Sequence, residues 1–132
     1  MSSATQPAPI SKKALWAGRS ASALPVLILL MSGVMKLVKT PEVVKGFTEL
    51  GWDGSFALGL GILELTCTVI YVIPRTSVLG AILLTGYLGG AVATHVRIGD
   101  PSFLGPILLG VLVWGGLWLR DQRVRGLIPV RR

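Results

Sequence analysis

Four apolar runs organise this chain, and each ends in a cluster of charge, proline or glycine. The first, Ala21 to Val38, is interrupted only by Lys36; the others are Phe56 to Ile73, Ser77 to about Val96, and Phe103 to Leu119. Apolar runs of this length predict membrane-crossing helices, since about 20 helical residues span the hydrocarbon core. A helix is also one of the few structures that satisfies all its backbone groups without water. The spans are placed at about 17–38, 56–73, 77–96 and 103–119. Pro25 falls inside the first, where a membrane helix tolerates a kink. Pro74-Arg75-Thr76 is a tight turn between the second and third.

Between the first two runs the pattern changes. Thr40-Pro41-Glu42 reads as a helix start, with a cap, a proline at the first position and an acid in the first turn. Val43, Val44, Phe47 and Leu50 follow at spacings near three and four, with Lys45 and Glu49 between them. This predicts a short amphipathic helix at the interface, ended by Gly51-Trp52-Asp53-Gly54 with Trp52 as an anchor. The predicted fold is therefore all-α: an integral membrane four-helix bundle with a short interfacial amphipathic helix between spans one and two. A disordered polar tail is expected over 1–14, the bundle over 15–119 and a basic cytoplasmic tail over 120–132. The basic start and apolar centre of the first run resemble a signal peptide. No convincing A-x-A site follows Leu24–Met31, which favours a retained span.

Composition supports lipid as the solvent. The chain of 132 residues is 52% hydrophobic and only 14% charged, against about 25% charged for a soluble domain. Its net charge of +7 admits nucleic acid, but most basic residues sit beside the apolar runs, which points to anionic lipid instead. With both termini cytoplasmic, that side holds nine basic residues: Lys12, Lys13, Arg19, Arg75, Arg120, Arg123, Arg125, Arg131 and Arg132. The other side holds four: Lys36, Lys39, Lys45 and Arg97. The bias supports a multi-pass membrane protein with both ends inside. Gly86-xxx-Gly90 and Gly89-xxx-Ala93 place the third span centrally, with a homodimer face as the alternative, and Gly59 and Gly61 allow close approach near Glu64.

The candidate chemistry is sparse. Glu64 is the only charge in the second run, and an acid at a span's centre costs roughly 2.5–3.5 kcal/mol on insertion scales. It lies about 12 Å below the predicted outer boundary. Lys36 and His95 fall at the outer ends of the first and third spans, so all three share the outer half of the bundle. Lys36 either pairs with Glu64 or snorkels to the headgroups. His95 either relays protons to Glu64 or bonds the loop around Asp100. Thr68 and Tyr71 extend a polar stripe from Glu64 on one helical face, with Tyr71 also readable as an inner-interface aromatic. Tyr87 and Thr94 are further donors on the third span. Arg97 and Asp100 read as a surface ion pair. The polar-pocket candidates are thus Lys36, Glu64, His95 and Thr68.

Other chemistries are excluded or weak. Cys67 is alone, so the chain carries no dithiol pair, and it reads as a small buried side chain. One histidine excludes bis-histidine haem within the chain. Met31 and Met35 share a face but read as packing residues, and no metal set is expected. There is no P-loop, dinucleotide glycine pattern or nucleophile elbow.

Several segments together carry a resemblance. They are Ser32-Gly33-Val34-Met35-Lys36-Leu37, Pro41-Glu42-Val43-Val44, Leu50-Gly51-Trp52, Gly61-Ile62-Leu63-Glu64-Leu65, Ile73-Pro74-Arg75-Thr76, Gly89-Gly90-Ala91 and Thr94-His95. In this order and spacing, over about Leu15 to Leu119, the chain resembles the DoxX-like family of small four-span bacterial membrane proteins. The resemblance implies a four-helix membrane bundle, with the family's Ser-Gly-x-x-Lys and span-two glutamate at Ser32, Gly33, Lys36 and Glu64. It also implies, for some relatives, association with thiosulfate oxidation to the quinone pool or with a membrane oxidoreductase complex handling thiol and oxidative stress. No second domain for thiosulfate chemistry is expected in this chain, which argues against that assignment for it acting alone. Three functions follow as expectations. The first is a redox- or quinone-associated membrane subunit with quinone as its one candidate cofactor. The second is a non-catalytic accessory or assembly protein docking a larger membrane partner. The third is a proton-coupled small-molecule transporter acting as a homodimer.

Overall fold

The computed structural model describes residues 9–131; the expected polar tail over Met1–Ala8 lies outside the described residues. Helix α1 (Lys12–Val38) starts three residues before the expected tail ends, because Ser11 Oγ accepts from Ala14 N at 3.2 Å and caps it. Lys39, in the left-handed region at φ 61°, closes α1 by donating its N–H to the Met35 carbonyl. Helix α2 (Pro41–Glu49) forms as its start signal predicts. Thr40 Oγ1 accepts from Val43 N at 3.2 Å, Pro41 opens the helix and Glu42 sits in its first turn. Trp52 beyond it meets Phe56 edge-on, with ring centroids 5.4 Å apart.

Helix α3 (Phe56–Val72) is joined to α4 (Ser77–Arg97) by a 3-10 turn over Pro74–Thr76. The hydroxyls of Thr76 and Ser77 donate to the Ile70 and Tyr71 carbonyls at 2.7 and 2.8 Å, satisfying acceptors freed at the end of α3. A second 3-10 turn, Pro101–Phe103, leads into α5 (Leu104–Arg120). The basic tail contains a further helix, α6 (Gln122–Leu127), started by Asp121, whose carboxylate accepts from Arg123 N at 2.9 Å. Val124 buries its side chain in the core and ties α6 to the bundle.

The four long helices close into a ring in which α1 and α4 each touch both α3 and α5. The core holds Leu29, Cys67, Tyr71, Ala81, Leu84, Leu88, Val113, Leu117 and Val124. Glu64, Thr68, Ser22 and Ser77 are buried, while Leu27, Met31, Leu104, Leu108 and Val111 are all more than half exposed. Polar groups inside and an apolar belt outside suit lipid as the surrounding medium. Met31 and Met35 belong to that exposed surface rather than to the packing between helices. Among the described residues, three helical stretches are long and apolar enough to cross a membrane: Lys12–Val38, Pro74–Arg97 and Pro101–Arg120. Helix α3 is a shorter apolar helix of 17 residues, about 25 Å long.

The close helix contacts are made by glycines other than the Gly86–Gly90 pair. A Cβ at Gly86, Gly89, Gly90 or Gly59 would meet nothing within 4 Å, so the third span is not packed through that motif. Gly18 and Gly116 instead bring α1 against α5, where a Cβ on Gly18 would sit 2.7 Å from the Gly116 carbonyl oxygen. Gly33 and Gly61 bring α1 against α3, and Gly80 brings α4 against the Tyr71 backbone. A Cβ at Gly80 would lie 2.3 Å from Tyr71 Cα and N, which no rotamer change relieves. Gly80→Ala is therefore expected to destabilise the protein by about 2 kcal/mol, whereas Gly89→Ala leaves it unchanged or raises stability by about 0.5–1 kcal/mol through helix propensity. Thermal midpoints of the two variants in one detergent check the contrast.

Candidate functional site

On the buried face of α3, Ala57, Gly61, Glu64, Thr68 and Tyr71 alternate at spacings of four and three, with Cys67 buried beside them. That period turns Glu64 inward with the apolar face. Across from it, Gly33 and Gly61 remove the side chains that would keep α1 and α3 apart, and a Cβ on Gly61 would be 2.9 Å from Lys36 Cβ. The Lys36 stem thus lies over Gly61, and its ammonium reaches the carboxylate about one turn further along α3. Lys36 Nζ is 2.7 Å from Glu64 Oε1, with side-chain exposures of 17% and 1%. It also donates to Ser32 Oγ at 2.7 Å, one turn back on α1. From α4, Tyr87 donates its hydroxyl to the same Oε1 at 2.6 Å.

One carboxylate oxygen therefore accepts from two helices while the other accepts from none. Glu64 Oε2 is the only buried side-chain nitrogen or oxygen without a hydrogen-bond partner among the described residues. Leaving such an acceptor unmatched in a low-dielectric interior costs about 1–3 kcal/mol, more when it is charged. A hydrogen-bond donor supplied from outside the chain relieves that cost.

The remaining candidates fall elsewhere. Thr68 is buried, but its hydroxyl donates to the Glu64 main-chain carbonyl at 2.7 Å, so it serves the helix and not the carboxylate. His95 makes no hydrogen bond to Glu64; its Nδ1 lies 2.7 Å from the Ala91 carbonyl oxygen on its own helix. Arg97 does not pair with Asp100: its guanidinium donates to the Leu50 carbonyl and so links α4 to the end of α2. Asp100 accepts from Ser102 N at 2.9 Å. The Ser102 main-chain N–H, its hydroxyl and nearby His95 hold the Asp100 carboxyl below the ordinary range. Among the described residues, no three of His, Cys, Asp and Glu gather closely enough to hold a metal ion.

Tyr71 is not an interfacial aromatic. It is 1% exposed, and its hydroxyl donates to the Val113 carbonyl at 2.7 Å. With that proton committed, Ser22 donates to the Tyr71 oxygen at 2.7 Å, and Arg120 Nε donates to Ser22 Oγ at 3.2 Å. The Arg120 guanidinium also lies 5.5 Å from the Tyr71 ring centroid. This second polar network joins α1, α3 and α5. Its sequence signal was the seven-residue step from Glu64 to Tyr71; Ser22 and Arg120 carried no signal of their own, because they are 98 residues apart.

Removing one partner of a buried ion pair leaves the other charged and unmatched. Lys36→Met is expected to cost about 3 kcal/mol, and Lys36→Met/Glu64→Gln to recover most of it, with Glu64→Gln alone closer to wild type. Unfolding of the three variants in one detergent checks this; a double variant no more stable than Lys36→Met contradicts it.

Comparison with known proteins bears on the same residues. No curated protein and no solved structure matches the chain. The sequence profile of the DoxX-like family matches residues 20–116, a stretch that holds Ser22, Ser32, Lys36, Glu64, Tyr71 and Tyr87. This all-helical membrane protein, with its interhelical Lys36–Glu64 pair, belongs to the DoxX-like family.

Proposed function

We propose that the protein is the membrane subunit of a redox system, in which Glu64, Lys36 and Tyr87 form a proton-exchanging site for the headgroup of a quinone. In this reading all four long helices cross a bacterial inner membrane, with both termini cytoplasmic and the site in the outer half of the bundle. The single observation that carries it is the buried, unpartnered Oε2 of Glu64. A bound quinone would supply reversible two-electron, two-proton chemistry.

The chain's own residues divide the remaining work. Glu64 holds or releases a proton at Oε2, or accepts a hydrogen bond there. Lys36 balances the carboxylate charge from α1, and Tyr87 fixes the carboxylate plane from α4. Neither of the two described surface clefts is lined by these residues. Glu64 is 1% exposed, so a headgroup reaches Oε2 only when helices part locally. The short α3 supports the reading, because a 17-residue helix leaves its ends near the headgroups and Glu64 closer to the interface than a full-length span would.

A second reading is favoured by the other oxygen. Oε1 takes one donor from α1 and one from α4, as a purely structural cross-link of three helices would require. In that case the protein is an accessory or assembly factor for a larger membrane partner.

Gentle solubilisation, native mass spectrometry and solvent extraction separate the two. A quinone retained by wild type and lost from Glu64→Gln is the expected result. Quinone-free protein with the same oligomeric state in both moves the assignment to the accessory role. The topology is checked by a reporter fused after Arg132, expected to be active on the cytoplasmic side; activity confined to the opposite side overturns the orientation.

A further inference from the structure

At the end of the bundle where the described N-terminal residues lie, three arginines from separate parts of the chain surround one cleft. Arg75 comes from the turn between α3 and α4, Arg120 is the last residue of α5, and Arg123 lies in the first turn of α6. The cleft measures about 880 Å³, and Ile10, Pro74 and Val78 give it an apolar side. Ile10 shares this lining with Asp121 and Gln122, which puts the start of α1 and the end of α5 at one end of the molecule.

The three guanidiniums outnumber the one acid in the lining, Asp121, and leave the cleft with a net positive charge. Among the described residues the only ion pair within 4.0 Å is Lys36–Glu64, so no carboxylate pairs with Arg75, Arg120 or Arg123. Asp121 accepts from Arg123 N as the cap of α6, so its oxygen is turned to the helix and it offsets only part of the positive charge. Like charges around a shared cleft raise the local potential and favour a bound anion. Guanidinium groups suit phosphate in particular, because their forked donors match its oxygens.

The fold holds this arrangement in place. Arg120 is oriented by Ser22 Oγ and the Tyr71 ring, and uses only Nε in the hydrogen bond. Helix α6 is anchored by buried Val124. It is also held by Arg125, whose Nε and terminal nitrogen donate to the Trp118 and Leu119 carbonyls at 2.8 and 2.9 Å. Arg123 is therefore presented by a docked helix.

We propose that this cleft binds the phosphate-bearing headgroup of an anionic phospholipid. Its position favours lipid over a soluble anion. It opens where α3, α4 and α5 leave the exposed apolar belt, and its apolar side, including the exposed Val78, continues toward that belt. A headgroup there is recognised by the arginines while its glycerol and upper acyl region meet Ile10, Pro74 and Val78.

The test uses the full chain in a neutral detergent, titrated with phosphatidylglycerol or phosphatidylcholine and read by native mass spectrometry. Wild type is expected to retain phosphatidylglycerol at least ten-fold better than phosphatidylcholine. Arg75→Gln/Arg123→Gln is expected to lose roughly thirty-fold in that affinity, following the usual contribution of two basic residues near an anionic surface. Both positions are exposed, and an unchanged thermal midpoint confirms that the double variant folds. Arg75→Lys/Arg123→Lys should recover part of the loss. Lys39→Gln/Lys45→Gln removes the same charge outside this cleft and should change nothing.

Equal losses in the Gln pair at 75 and 123 and the Gln pair at 39 and 45 would overturn the site in favour of diffuse attraction. Undiminished binding in the first pair would overturn it outright. If inorganic phosphate competes at equal concentration and wild type does not prefer the anionic lipid, the lipid assignment is overturned and a soluble phosphate site replaces it. None of these outcomes depends on Glu64, so the quinone reading stands or falls separately.

Discussion

A carboxylate surrounded by apolar helices needs a counter-charge on a neighbouring helix, and that requirement shapes the centre of this protein. Glu64 meets it through Lys36, and the meeting is possible only because Gly33 and Gly61 let α1 and α3 approach closely. Tyr87 then draws α4 onto the same oxygen. In lipid there is little hydrophobic drive for helices to associate. Close glycine contacts and interhelical polar bonds therefore take over the role that apolar burial has in a soluble bundle.

The bundle carries two polar layers, and they differ in how fully their groups are matched. In the Ser22–Tyr71–Arg120 network, the two hydroxyls and the arginine Nε act in one consistent order, ending on a main-chain carbonyl. A network whose buried groups are all matched rigidifies. In the Lys36–Glu64–Tyr87 cluster, Oε2 is left over. An unmatched buried acceptor is a poor structural device and a reasonable chemical one. The networks lie seven residues apart on α3, about 10 Å along the axis.

Arg120 connects the second layer to the surface. Its Nε is committed to Ser22, while the residue also lines a cleft with Arg75 and Arg123. The basic tail is consequently part of the folded structure. Part of it folds as α6 and closes that cleft, because Val124 supplies an apolar anchor and Arg125 satisfies carbonyls at the end of α5.

Much of the architecture was legible in the residues themselves. The apolar runs set the long helices, and Thr40-Pro41-Glu42 marked α2, because capping and hydrophobic length act locally. The isolated charge of Glu64 flagged a buried polar site, since its cost in lipid does not depend on which fold surrounds it. Partners were another matter. The sequence puts both Lys36 and His95 at the level of Glu64, with Lys36 as its expected partner, and only Lys36 reaches it, because rotation of each helix about its own axis decides what faces inward. The same rotation sends Gly86 and Gly90 outward and makes Gly18, Gly33, Gly61, Gly80 and Gly116 the contact glycines. The sequence by itself determined which segments are helical and which residues are costly to bury. Only the tertiary structure decided who neutralises them, because helix rotation and neighbour choice are set by packing across residues that can lie almost a hundred positions apart.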